Sequence, residues 1–301
     1  MSESAIIVSL DRRCNNRCRF CSQADLALER PASDVAAQLE QAYAAGCRRV
    51  DFVGGEPTIH DELQEAIGLA RRIGFERIGL QTNGRRLAYR SYTELLVTAG
   101  LTHVDVSLHG PTAPVHEFHT TVEGSFQQTV AGVRRARAAG LETAITTVVT
   151  RSNVHLMSTL AGVVTALGVT QWRVAIAQHV GRVVDDARRI VPRWTAAARF
   201  LAEAHRVASA NACRMRVVGL PPCIVPTLPR WVDPDLPVQL SMRCGGCALR
   251  ETCPGVDPGY LAMYGAAELQ PFSIATPARA LDAASAESTS FVGRVGRPAV
   301  I

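Results

Sequence analysis

Short apolar runs rich in valine and isoleucine recur along the chain, each pair separated by enough residues for one helix. The runs are Ala5–Leu10, Arg49–Val53, Arg77–Gln81, His103–Leu108, Thr143–Val149 and Trp172–Ala177. Their length and composition predict strands covered on both faces, as in a parallel sheet. Apolar residues at helical spacing predict helices over Asp34–Ala45, Asp61–Ile73, Tyr92–Thr98, Ser125–Ala139 and Val154–Leu167. Gly46, Gly74, Gly100, Gly140 and Gly168 stand where left-handed caps would end these helices. A βα unit repeated six times makes an α/β chain. Six units are too few for a closed eight-stranded barrel, but the barrel rule still directs attention to the loops after the strands.

After a last long helix, Trp194–Ala210, the texture changes. Pro221–Gly259 is rich in proline, glycine and cysteine and reads as a small irregular module stapled by metal. From Ser273 the chain is rich in Ala, Ser, Thr, Pro and Gly, which predicts a loosely ordered tail. The expected division is a barrel over 1–210, a cysteine-rich module over 211–272 and a flexible tail over 273–301.

Composition narrows the function. A hydrophobic content of 47% supports a sizeable core. The net charge is +5, and the basic residues are all arginine; with no lysine, Schiff-base chemistry is excluded. The arginines are scattered, which gives nucleic-acid binding little support. No run of eighteen apolar residues predicts a membrane span, and the N-terminus has no secretory pattern, so a cytoplasmic protein is expected. In that compartment nine cysteines point to metal ligation or catalysis more than to disulfides.

Three of these cysteines carry the strongest signal. Cys14, Cys18 and Cys21 have the spacing C-x3-C-x2-C. Structural zinc prefers four ligands, usually as two separated pairs, and a tight run of three suits it poorly. Three thiolates can instead hold three irons of a [4Fe–4S] cluster, whose ordinary electron-transfer form takes four. The fourth iron is then open to a substrate or cofactor.

With Val53-Gly54-Gly55-Glu56-Pro57 after the second strand, and Phe20 before the third cysteine, the chain resembles the radical S-adenosylmethionine (SAM) superfamily. The resemblance implies a partial (β/α)6 TIM-type barrel in which Cys14, Cys18 and Cys21 ligate the cluster and the open iron chelates SAM. One electron then splits SAM into methionine and a 5′-deoxyadenosyl radical. It also implies that the backbone of Gly54, Gly55 and Glu56 receives the SAM ammonium group. A missing side chain lets a ligand approach that backbone closely. Asn83 and Ser107 stand where family members contact the SAM methionine or ribose, with strand-end capping the alternative. Thr147 is a weaker candidate of the same kind. Gln178 and Arg182 follow strand six, on the side of the adenine and carboxylate contacts; Arg182 could pair bidentately with a carboxylate. His109, His116 and His119 follow strand four and receive no catalytic role.

Cys223, Cys244, Cys247 and Cys253 form a second group, the last three spaced C-x2-C-x5-C. This resembles the C-terminal SPASM and twitch modules, which bind auxiliary [4Fe–4S] clusters. The SPASM pattern continues with a cysteine where this chain has Asp257, so one auxiliary cluster is implied, with Asp257 a remote ligand candidate. Four cysteines also suit tetrahedral zinc, which stays a rival. Cys213 is an alternative ligand or a buried apolar residue at a strand start; Cys47 has no partner.

The implied function is radical SAM chemistry on a ribosomally made peptide, with an oxidative outcome; oxidation or rearrangement of a small metabolite is the alternative. The implied partners are a reductant such as flavodoxin or ferredoxin and, for a peptide, a separate leader-binding protein. A methyltransferase reading lacks a cobalamin-binding domain or an evident methyl-carrying cysteine pair. A non-enzyme reading, an iron–sulfur or zinc redox sensor or nucleic-acid-binding protein, has no use for the Gly54–Pro57 segment.

Overall fold

The structure, a computed structural model, describes residues 5–22, 32–228 and 238–273. The tail expected over 273–301 lies, apart from Ser273, outside the described residues. Seven strands follow one another in the sheet in chain order, β1 to β7, the winding of a partial TIM-type barrel. The described residues fall into two compact units, one running from β1 to Leu108 with Thr112–Thr146, the other comprising His109–Pro111 and the chain from Thr147.

The first unit holds β1 (Ala5–Ser9), β2 (Arg49–Val53), β3 (Arg77–Thr82), β4 (His103–Ser107) and the start of β5 (Glu142–Val149). Neighbouring strands pair parallel, with Val8 opposite Phe52, Asp51 opposite Gly79, Gly79 opposite His103 and Ser107 opposite Thr146. Because side chains alternate along a strand, this register sorts them into two rows. Val8, Val50, Phe52, Ile78, Leu80, Val104, Val106 and Ile145 form an apolar row and are all buried. Arg49, Asp51, His103 and Asp105, also buried, share the opposite row. The strands are thus covered on both faces, as their composition predicts, but one face is charged. Gly79 makes this possible: His103 Nε2 meets Asp51 Oδ1 at 2.6 Å, and a Cβ at Gly79 would overlap both side chains.

Helices α1 (Ala32–Ala44), α2 (Leu63–Ile73), α3 (Arg90–Ala99), α4 (Ala113–Thr120) and α5 (Ser125–Ala138) belong to this unit. Their buried stripes follow the helical period, Leu63, Ala66, Ile67 and Ala70 on α2 being one. Gly74 ends α2 in the left-handed conformation expected of a cap. Helix α4 lies where apolar spacing predicts none. Pro114 opens it, and its buried face is made by His116, His119 and Thr120 in place of aliphatic residues.

The second unit holds the end of β5, α6 (Met157–Ala166), β6 (Gln171–Ile176), α7 (Ala187–Ile190), α8 (Trp194–Ala210), β7 (Arg214–Val218) and α9 (Pro258–Tyr264). Strand β7 is one more than the six expected from sequence. It pairs parallel with β6, Trp172 opposite Met215 and Arg173 opposite Arg216. In its sequence Arg-Met-Arg-Val-Val the two arginines interrupt any apolar run like those of the other strands. Cys213, buried at 2% exposure, immediately precedes it.

Candidate functional site

Cys14, Cys18 and Cys21 lie on the loop after β1, and its two flanks are fastened by backbone hydrogen bonds. On one side Gly55 N donates to Asp11 O and Glu56 N to Arg13 O, each at 2.8 Å. On the other, Arg17 N donates to Thr120 O and Arg19 N to His119 O, each at 3.0 Å. The C-terminal end of α4 therefore seats the loop, and Thr121 Oγ1 adds a bond to the Arg17 carbonyl at 3.0 Å. Phe20 lies 5.9 Å from the His119 ring, centroid to centroid.

Gly54 and Gly55 have a reason to be glycine that is visible in the fold. A Cβ on Gly54 would strike the Asp11 carbonyl, and one on Gly55 would strike those of Arg12 and Arg13. The pair lets two backbones touch, so that the cysteine loop and the Gly54–Pro57 segment form one body.

Glu56 is 1% exposed. Its Oε1 accepts from Thr58 N at 3.1 Å, Thr58 Oγ1 at 2.5 Å and Thr82 Oγ1 at 2.6 Å. Its Oε2 accepts from Asn83 N at 2.6 Å. Burial pushes its pKa up, and these hydrogen bonds partly offset that rise. The side chain splints the loop after β2 to the end of β3.

From Asn83 the network returns to the cysteines. Asn83 Nδ2 donates to Asn15 Oδ1 at 2.6 Å, and its carbonyl accepts from Thr129 Oγ1 of α5 at 2.8 Å. Arg85 donates through Nη1 to Asn15 O at 2.6 Å and Asn16 Oδ1 at 2.9 Å, and through Nε to Gln128 Oε1 at 2.6 Å. Helix α5 can come this close because Gly132 faces the Gly84 carbonyl, where a Cβ would collide. Sequence reading missed Asn15, Asn16, Arg85 and Gln128. The available signal was an arginine immediately after Thr82-Asn83-Gly84, in a chain otherwise expected to keep arginines in solvent.

The donor set suits an iron–sulfur cluster: three thiols on one loop, with Asn16 N already donating to Cys14 Sγ at 3.4 Å. Cys14 is exposed as a residue, while Cys18 and Cys21 are half-buried. Its thiol is nevertheless desolvated enough to be pushed up to about 11. The charges of Glu56 and Cys21 act the same way, whereas the Asn16 hydrogen bond and Arg85 oppose them. The thiol therefore keeps its proton in the metal-free chain, and a bound metal would have to displace it.

Ser107 ends β4 opposite Thr146. Arg182 lies in the second unit, half-buried in a 3₁₀ segment, Gly181–Asp186, and has no hydrogen bond or ion pair among the described residues. The Thr147 hydroxyl accepts from Trp172 Nε1 at 2.9 Å and so is engaged within the fold. His109 Nδ1 accepts from Val148 N at 3.2 Å. In the first unit, burial lowers His116 to about 4 and lowers His119 as well. All three histidines are buried, which fits a packing role.

In the second unit Cys223, Cys244, Cys247 and Cys253 line one pocket with Pro221, Leu249 and Phe272 among its walls. Burial raises the Cys223 thiol, and the charges of Cys253, Cys244 and Cys247 raise it further. The four cysteines thus share one pocket, and Gly255 N donates to Cys253 Sγ at 3.4 Å. Among the described residues no three His, Cys, Asp or Glu side chains close tightly round one metal-ion position. Asp257 is occupied elsewhere: Oδ1 accepts from Tyr260 N at 3.0 Å, capping α9, and Oδ2 from His179 N at 3.4 Å.

Comparison with known proteins matches residues 8–158 to the family described as Radical SAM superfamily. A PqqA peptide cyclase of Gluconobacter oxydans is 31% identical over 193 residues, covering 62% of this chain and 53% of that protein. An AdoMet-dependent heme synthase of Oleidesulfovibrio alaskensis is 26% identical over 185 residues, covering 60% and 47%. The crystal structure of Streptococcus suis SuiB bound to precursor peptide SuiA has the same fold, with a TM-score of 0.58 and 18% identity over 71% of this chain and 48% of SuiB. The chain spans about half the length of the curated relatives it matches.

Proposed function

The chain belongs to the radical SAM superfamily, and from that premise we propose that it is an enzyme that cleaves SAM reductively and oxidises a ribosomally made peptide. The observation that carries the reading is the joining of the cysteine loop, Gly54–Glu56 and Asn83 into one hydrogen-bonded body.

Cys14, Cys18 and Cys21 would hold a [4Fe–4S] cluster, which with SAM supplies one-electron chemistry able to open an unreactive C–H bond. The residues of the chain fix where that happens. Gly54 and Gly55 keep the loop against the segment whose backbone would receive the SAM ammonium, and Glu56 keeps that segment on the end of β3. Asn83 and Ser107 are proposed SAM contacts, and Arg182 a proposed carboxylate partner. The four thiols of the second unit would saturate one auxiliary cluster and so suit an electron acceptor. This fits 1–210 as the catalytic part and 211–272 as the auxiliary module. Similarity to a peptide cyclase favours a peptide substrate; similarity to a heme synthase favours the metabolite alternative.

The test compares wild type with the Cys14→Ala/Cys18→Ala/Cys21→Ala variant after anaerobic reconstitution. Wild type should hold about eight irons and the variant about four. With dithionite and SAM, wild type alone should release 5′-deoxyadenosine. Equal SAM cleavage by both proteins would refute the assignment of the loop. A peptide encoded beside the gene should then lose two hydrogen atoms by mass; no mass change in such a peptide, with turnover of a small metabolite, would move the reading to the alternative.

A further inference from the structure

Arg85 bonds directly to the two residues that follow Cys14. Its three hydrogen-bond acceptors, Asn15 O, Asn16 Oδ1 and Gln128 Oε1, are all uncharged. Arg13, by contrast, is paired with Asp11, its Nε 2.5 Å from Oδ2. Two of the Arg85 acceptors belong to the residues directly after Cys14. Nη1 holds both of these while Nε reaches Gln128, so the rigid guanidinium ties the loop to α5, which a flexible ammonium would not do as well. Among the described residues the group has no carboxylate partner, and it is a positive charge, half-buried and held at one place beside the cysteine loop.

A charge in that place acts on electrons as well as on geometry. A cube of charge +2 on three thiolates has a net charge of roughly −1, and of roughly −2 once an electron is added. A nearby cation without a counter-charge of its own stabilises the second state more than the first, and does so most where water is excluded. Net charge and local hydrogen bonding are among the factors that set cluster potentials. The Glu56 carboxylate is engaged by Thr58, Thr82 and Asn83, and among the described residues no bond joins it to Arg85.

We propose that Arg85 is a positioning residue that ties the cysteine loop to α5 through Gln128 and biases the cluster held by that loop toward its reduced state. This rests on the reading of Cys14, Cys18 and Cys21 as cluster ligands.

The experiment is an EPR-monitored redox titration of the reconstituted full-length chain, following the signal that changes when SAM is added. Wild type is compared with Arg85→Gln, Arg85→Lys and Gln128→Glu. Arg85→Gln should move the midpoint potential to more negative values, and Arg85→Lys should recover most of that shift by restoring the charge. Gln128→Glu leaves the fork in place but gives it a carboxylate partner, so it should shift the midpoint the same way by a smaller amount. If Arg85→Gln fails to hold iron, Gln128→Glu decides. An unchanged midpoint in Gln128→Glu, or in Arg85→Gln with full iron content, overturns the proposal. Absence of any SAM-sensitive signal in wild type would instead refute the cluster reading beneath it.

Discussion

Among the described residues, the loop of Cys14, Cys18 and Cys21 is bonded to segments distant in sequence, whereas the backbone bonds of the run of Cys244, Cys247 and Cys253 are mostly local turns. The first receives backbone bonds from Gly55 and Glu56 and gives them to His119 and Thr120. The second is a chain of turns: Cys244 N to Ser241 O, Cys247 N to Cys244 O, Arg250 N to Cys247 O and Cys253 N to Leu249 O. Its longer ties among the described residues include Ala248 N to Phe272 O at 2.9 Å and the bridge between Gln239 and Val256. A loop bonded into the fold has its backbone path set before any metal arrives. A segment held by local turns depends more on the metal to fix it. The contrast matches the proposed roles, one site keeping an iron open for SAM and the other fully ligated.

The largest effect expected from this contrast comes from Cys244→Ala/Cys247→Ala. Iron should fall from about eight to about four per chain, and the oxidised product should disappear. Release of 5′-deoxyadenosine should stay within about tenfold of wild type, a difference of about 1.4 kcal/mol in the barrier. A parallel loss of SAM cleavage would show that the two sites are not separable. Unchanged iron, with zinc in both proteins, would make the second site a structural clip.

A smaller effect probes the seat of the first loop. His116 on α4 is 1% exposed, and burial lowers it to about 4 from 6.5. The folded chain therefore keeps it neutral, while the unfolded chain takes up a proton below its own pKa. The resulting stability is fully present above pH 6.5 and is lost as pH falls from there to about 4. The shift corresponds to about 3 kcal/mol. Denaturant melts of the apoprotein at pH 7 and pH 4.5 should show a steeper loss in wild type than in His116→Gln. Equal slopes would remove His116 from the account of how α4 supports the loop.

The smallest effect concerns the second region. Tyr260 stacks on Trp194 with ring centroids 3.6 Å apart, donates its hydroxyl to Glu268 and accepts from Trp194 N at 2.9 Å. Glu268 also accepts from Thr195 at the start of α8. Tyr260→Phe keeps the stack but strips these bonds, and should cost about 1–2 kcal/mol in a urea melt. Arginine contacts persist around Tyr264, with Arg193 4.8 Å above its ring. A loss below about 0.3 kcal/mol would show that α9 is held by stacking alone.

Much of the architecture is legible without coordinates because it depends on local pattern. Valine-rich runs, helical spacing and capping glycines depend on neighbours a few residues away, and six of the seven strands follow from them. The exceptions are instructive. Helix α4 uses His116 and His119 as its buried face and so lacks the expected apolar period, and β7 alternates arginine with apolar residues in place of the continuous apolar run of the other strands. The cysteine spacings and the Gly54–Glu56 segment were equally legible, being contiguous motifs.

What the sequence determined by itself was the α/β class, the two cysteine groups and the family resemblance, because each is carried by residues close together along the chain. Only the tertiary structure decided why Gly54 and Gly55 must be bare: the carbonyls of Asp11, Arg12 and Arg13 come up against them. Only it showed that Glu56 faces Thr58, Thr82 and Asn83, that Asp257 caps α9, and that Arg85 reaches Asn15, Asn16 and Gln128. Those partners lie up to 70 residues apart. Hydrogen bonds and van der Waals contact act over a few ångströms, and which distant residues come within that range is settled by folding, not by spacing.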